Sequence, residues 1–147
     1  MLLRVGINRT FSTTGPAKRA LLLGLGGGDS LGGTMTKKKV DLGGGLTKEK
    51  VLAMLKQQNE ELEQKGVSPT MLLVDPTCDK LNETVSEALR GKDYDVISIG
   101  AGVRTLPEHF FLFENLVNLV HEHAPNSRIA FDTGPGDKVE SILRNLK

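Results

Sequence analysis

Residues 95–132 read DVISIGAGVRTLPEHFFLFENLVNLVHEHAPNSRIAFD. The stretch opens on an apolar run, Asp95–Gly100, and closes on a second, Ser127–Asp132. Each run is continuous rather than alternating, the mark of a strand covered on both faces. Between them lies a helical segment, Pro107–Ala124, with one proline at its first turn and Pro125 at its end, where proline opens and stops a helix. Strand, helix and strand at this spacing form a parallel crossover unit, which is right-handed in nearly all cases.

The same alternation extends outward. Ala20–Leu25 (ALLLGL) and Met71–Asp75 (MLLVD) are further strand-length apolar runs that end in Gly or Asp. Thr47–Lys65 places Val51, Met54, Leu55 and Leu62 on one side of a helix, with Gly66 as its C-terminal cap. Asp79–Arg90 does so with Leu81, Val85, Ala88 and Leu89, closed by Gly91, and Asp137–Leu146 with Val139, Ile142, Leu143 and Leu146. Four strand–helix pairs predict an α/β domain over residues 20–147. The expected architecture is a four-stranded parallel sheet of order 2-1-3-4 with helices on both faces, flavodoxin-like or half-Rossmann. No internal repeat appears beyond this alternation.

Composition narrows the function. The 147 residues are 38% hydrophobic and 25% charged with a net charge of +1, which suits one globular domain and excludes a disordered chain. The balanced charge and an aromatic content of 4% without Trp argue against a nucleic-acid partner. No apolar run is long enough to span a membrane. Cys78 is the only cysteine, so neither a disulfide framework nor a cysteine-based zinc site is expected.

The charge is not evenly spread. Arg4, Arg9, Lys18 and Arg19 precede the first acid, Asp29, whereas the rest of the chain carries 15 basic and 18 acidic side chains. An Arg-rich, hydroxyl-containing, acid-free start that mixes Leu2, Leu3, Val5, Ile7 and Phe11 reads as a mitochondrial transit peptide over residues 1–19, with a matrix destination. Arg9, Phe11 and Thr14 match the two-step form of the processing site. The alternative makes Leu2–Asn8 an edge strand and leaves the protein in the cytoplasm.

Ligands of open parallel sheets bind beyond the carboxyl ends of the strands, where the strand order reverses. For order 2-1-3-4 that crevice lies between the first and third strands. Its candidate lining is Gly26, Gly27, Gly28, Asp29 and Ser30 on one wall and Gly100, Gly102 and Arg104 on the other, with Asp132 and Thr133 at the next rim position. Glycines let a backbone approach a ligand, and the arginine fork suits phosphate or carboxylate. The first wall opens a long connection, Gly24–Gly45, in which nine of 22 residues are glycine. A connection of that length is functional or mobile.

Known motifs are only partly spelled. The dinucleotide pattern G-x-G-x-x-G is incomplete at both Gly24–Asp29 and Gly100–Thr105, and Asp132 lies 32 residues after Gly100, where a ribose-binding acid is expected at about 20. Gly27–Thr34 nearly spells a P-loop but has Gly33 in place of its lysine. A receiver's third strand would end in Asp, and here it ends in Ile99-Gly100. A flavin mononucleotide loop would be Ser/Thr-rich, and here it is mostly glycine.

On the third long helix, Phe110, Leu112, Phe113, Leu116, Val117, Leu119 and Val120 form the face expected to pack on the sheet. Glu114, Asn118 and His121 form a polar row at i, i+4, i+7, either a solvated stripe or a ligand contact. His109 sits near Arg104 and is a candidate acid or base. His121 and His123 are too close in sequence to chelate one ion from a helix, so no metal site is expected.

The pattern Gly100-x-Gly102-x-Arg104, then Leu112-Phe113-Glu114, Asn118, His121 and Ala124-Pro125, then Ile129-Ala130-Phe131-x-Thr133 resembles a group of small, functionally uncharacterised α/β proteins. The resemblance covers the last third of the chain, implies no activity, and favours Arg104, Glu114, Asn118 and His121 as functional.

The sequence therefore leads to a small soluble domain that binds an anionic small molecule at the crevice, with no catalytic residue or cofactor assigned. The alternative is a non-catalytic interaction protein, such as a homodimer without a small ligand. A lesser one is a dinucleotide- or NTP-using enzyme.

Overall fold

The computed structural model describes residues 17–26, 48–134 and 136–146. Its elements are strand β1 (Lys18–Leu25), helix α1 (Lys48–Gln64), β2 (Val67–Val74), α2 (Leu81–Gly91), β3 (Val96–Ile99), the single turn α3 (Ala101–Arg104), a 3-10 turn at Pro107–His109, α4 (Phe110–His123), β4 (Arg128–Phe131) and α5 (Lys138–Asn145). The sheet is wholly parallel with order β2-β1-β3-β4, as the alternation predicted. It is an α/β fold of flavodoxin-like or Rossmann-like type.

The continuous apolar runs follow from burial on both faces. Leu21 and Leu23 of β1 join Ile97, Ile99, Val85, Leu89, Leu116 and Val120 in the core under α2 and α4. Ala20 and Leu22 point the other way and pack with Leu62, Val96, Ala130, Val139 and Ile142 under α1 and α5. The chain thus lays α2 and α4 on one face and returns α5 to the face of α1. Asn115 Nδ2 donates to Asn82 Oδ1 at 2.6 Å and joins α4 to α2.

Three sequence expectations need correction. β2 begins at Val67, not Met71, and takes in Ser68, Pro69 and Thr70. Among the described residues β2 is an edge strand, where proline's missing donor is tolerated. The segment from Pro107 is not one helix, since a 3-10 turn precedes α4, and α3 occupies the loop expected after Gly100. Phe110 does not join the packed face: it is 58% exposed, because it is the first residue of α4 and lies beyond the core. Leu116, Leu119 and Val120 are buried as expected.

Of the proposed presequence, Lys18 and Arg19 open β1, whereas the alternative strand Leu2–Asn8 and the processing residues lie outside the described residues. So does residue 27 onward of the glycine-rich connection, up to residue 47.

Gly66 ends α1 with φ of 79°, and a Cβ there would meet no atom within 4 Å. The cost of a side chain is therefore purely conformational. Gly66→Ala is expected to lower the unfolding free energy by about 1 kcal/mol in a urea titration.

Candidate functional site

The carboxyl ends of β1 and β3 meet where the strand order reverses, and the end of β4 lies beside that of β3. Leu23 pairs with Ile99, Gly100 N–H donates to Leu23 O at 2.9 Å, and Ile99 pairs with Phe131. The next residue after each outer partner is the one that matters: Gly100 after β3 and Asp132 after β4.

Asp132 is buried, with its side chain 1% exposed. Its Oδ1 lies 3.1 Å from Arg104 Nη2 and its Oδ2 lies 2.8 Å from Lys138 Nζ. The same Arg104 Nη2 donates to the Asp132 carbonyl, and Arg104 Nε donates to Ile99 O at 3.1 Å. The guanidinium lies over the Phe131 ring, 5.1 Å from its centroid, and Phe131 stacks edge-on against Phe113. Two cations, the buried Lys138 and the part-buried Arg104, therefore converge on one carboxylate, an arrangement whose local charge sums to +1. Arg104 Nη1 makes no hydrogen bond among the described residues, and the Arg104 side chain is 19% exposed.

Lys138 was not singled out from the sequence. It is the first residue of α5, a position where the helix dipole disfavours a cation. A basic residue there, followed by the apolar Val139 and Ile142, was the available signal that a distant carboxylate holds it. Its ammonium lies against Gly100: a Cβ on Gly100 would stand 3.4 Å from Lys138 Nζ and 3.4 Å from Leu23 O. Gly100 has an ordinary φ of −66°, and a Cβ there would make close but ordinary contacts with both atoms. Gly102 faces Leu25, and a Cβ there would meet Leu25 Cβ at a comfortable 3.6 Å.

Thr133 sits beside the cluster but turns toward Asp137. The Asp137 carboxylate accepts from Thr133 N–H at 2.9 Å, Thr133 Oγ1 at 3.0 Å and Gly134 N–H at 3.1 Å. The Thr133 amide, the largest influence, holds the Asp137 carboxyl below its usual range; burial opposes this, and the Thr133 hydroxyl and the Gly134 amide add to it. Asp137 thus braces the turn that delivers Lys138 to Asp132.

The remaining candidates are dispersed. Gly26 is buried and its N–H donates to Val74 O at 2.8 Å, which closes the end of β1 onto β2. Gly27, Gly28, Asp29 and Ser30 lie outside the described residues. His109 is half-buried at the 3-10 turn. Glu114, Asn118 and His121 are exposed along α4, and Cys78 is exposed. Asp75, the acid at the end of β2, accepts from Thr77 N–H at 2.9 Å and Thr77 Oγ1 at 2.7 Å, so it forms a turn. No group of three or more metal-ligating side chains occurs among the described residues.

No protein-family model and no curated protein sequence matches the chain. The cluster is thus interpreted on its own chemistry.

Removing the anion and removing one cation should differ. Asp132→Asn leaves the buried Lys138 and the part-buried Arg104 without a counter-charge and is expected to cost about 3 kcal/mol in urea denaturation. Lys138→Met leaves the Arg104–Asp132 pair intact and is expected to cost less. Equal losses would mean that Lys138 and Arg104 do not share the carboxylate.

Asp137 gives a pH signature. Its carboxyl is depressed in the folded state, so its stabilisation is present above the unfolded-state value near pH ~4 and is lost as pH falls through that value toward the folded one. Asp137→Asn should flatten the acid limb of a plot of stability against pH and leave the curve above pH ~6 parallel to the parent's.

Proposed function

We propose that the protein binds an anionic small molecule, phosphate- or carboxylate-bearing, at the carboxyl edge of β1 and β3. The observation that carries this reading is the charge of the Arg104–Asp132–Lys138 cluster. A site in which the buried Lys138 and the part-buried Arg104 share one carboxylate carries an excess positive charge, and burial makes such charge costlier unless a second anion balances it. Arg104 Nη1 is the donor that the internal contacts leave over. The position also agrees with where ligands enter open parallel sheets.

In this reading Arg104 is the ligand contact and Asp132 fixes its fork. Lys138 supplies charge from behind Gly100. Gly100 and Gly102 keep side chains out of the approach, and Thr133 stands at the rim. The presequence reading would place this binding in the mitochondrial matrix.

The test is thermal denaturation with orthophosphate, citrate, mononucleotides, dinucleotides and acyl-CoA. A binder is expected to gain about 2.7 kcal/mol at 100 times its dissociation constant. Arg104→Lys keeps the charge but loses the fork, so it should reduce that gain while the ligand-free protein stays folded. No stabilisation by any of these anions would overturn the proposal.

A second reading rests on a different observation. Phe110 and Phe111 are 58% and 78% exposed and stack on each other edge-to-face with ring centroids 5.6 Å apart. Exposed aromatic pairs are characteristic of protein interfaces. Light scattering separates this alternative: a dimer that Phe111→Ser converts to a monomer would support an interaction protein.

A further inference from the structure

The amino edge of the sheet, opposite the cluster, carries a recess of its own. It arises from a mismatch in length. α2 has 11 residues and so spans about 16 Å. β2 has eight residues and extends roughly 26 Å. The helix covers Leu72 and Val74 of β2 and Leu21 and Leu23 of β1. It stops short of the residues that continue the same rows toward the amino edge, and these change character to Thr70 and Ser68 on β2 and Arg19 on β1. The result is an open groove of about 590 Å³, within the size range of small-molecule sites. Ser68 and Thr70 lie in it beside Arg19, and Arg90, Lys92 and the buried Tyr94 complete the lining at and after the end of α2.

The groove is strongly cationic. Arg19, Arg90 and Lys92 face one acid, Asp93. The other acid close by, Asp95, is engaged: its carboxylate accepts from Arg19 N–H at 2.8 Å and pairs with Lys18 Nζ at 3.4 Å. None of the Arg19, Arg90 and Lys92 side chains makes an ion pair with a described residue. Arg90 uses only its Nε, which donates to Ser86 O at 3.3 Å and leaves both Nη groups available. The carbonyl end of α2 opposes an anion here, and three side-chain charges outweigh that partial one.

We propose that this groove is a second binding site, specific for a phosphate-bearing small molecule. Two guanidinium forks match tetrahedral phosphate oxygens, and the Ser68 and Thr70 hydroxyls offer neutral donors. The proposal is independent of the carboxyl-edge site.

The protein contains its own reporter. Tyr94 is the only tyrosine and the chain has no Trp, so intrinsic fluorescence comes from a residue that borders the groove. The experiment titrates the full chain with inorganic pyrophosphate, and with citrate and chloride at matched ionic strength, while backbone amide shifts are followed by NMR. The expected result is a saturable fluorescence change with pyrophosphate, accompanied by shifts at Arg19, Ser68 and Lys92. Affinity should fall at least tenfold in the Arg19→Gln, Lys92→Gln double variant, whose exposed side chains carry no core packing. An equal response to citrate, an undiminished response in the double variant, or shifts confined to Gly100 and Thr133 would each overturn the proposal. The last pattern would leave the carboxyl-edge reading standing.

Discussion

The Asp132 carboxylate is the constraint on which the carboxyl edge depends. It directly follows β4, and through its two oxygens it holds a residue of α3 and a residue of α5, so three elements from three parts of the last third of the chain are fixed at one point. In a buried setting the pairing is not optional: a lone carboxylate there would be strongly disfavoured, as would either cation without it. Arg104 adds two backbone carbonyls, Ile99 O and Asp132 O, so its fork also laces the ends of β3 and β4 together.

The backbone around this point is arranged to make room for it. Gly100 lies between Leu23 O and the Lys138 ammonium, each 3.4 Å from where its Cβ would stand. The turn from Asp132 to Asp137 is tied by the Asp137 carboxylate to Thr133 and Gly134 rather than to the start of α5. The amino-terminal end of α5 therefore has no side-chain cap of its own, and Lys138 is presented by a turn whose stiffness comes from the residues before it.

The order of the strands was legible because burial on both faces leaves a local trace, a run without alternation, and crossovers leave little choice of topology. Position was less legible where a residue's environment is set by a distant one. Ser68, Pro69 and Thr70 look like loop by composition, and their place in β2 is decided by Lys18–Leu21 of β1. Phe110 fits the helical repeat, but the repeat does not reveal that the helix begins where the core ends. At the carboxyl edge, Arg104 and Asp132 were both visible as strand-end polar residues. Their union was not, because it depends on the sheet bringing residues 28 positions apart into contact. Lys138 was the least legible, since nothing within a few residues of it identifies its partner. The row Glu114, Asn118 and His121 was correctly seen as a row, and the structure leaves it facing solvent.

The return of α5 to the face of α1 has a topological consequence. Each long helix runs back from the carboxyl edge toward the amino edge, so α5 finishes at Asn145 on the side of the sheet where β1 starts at Lys18. Joining those two points with a short linker and cutting at the exposed Pro125–Asn126 bend would give a circular permutant with the strand order and both cores preserved, in which β4 and α5 become the leading hairpin-like unit rather than the trailing one.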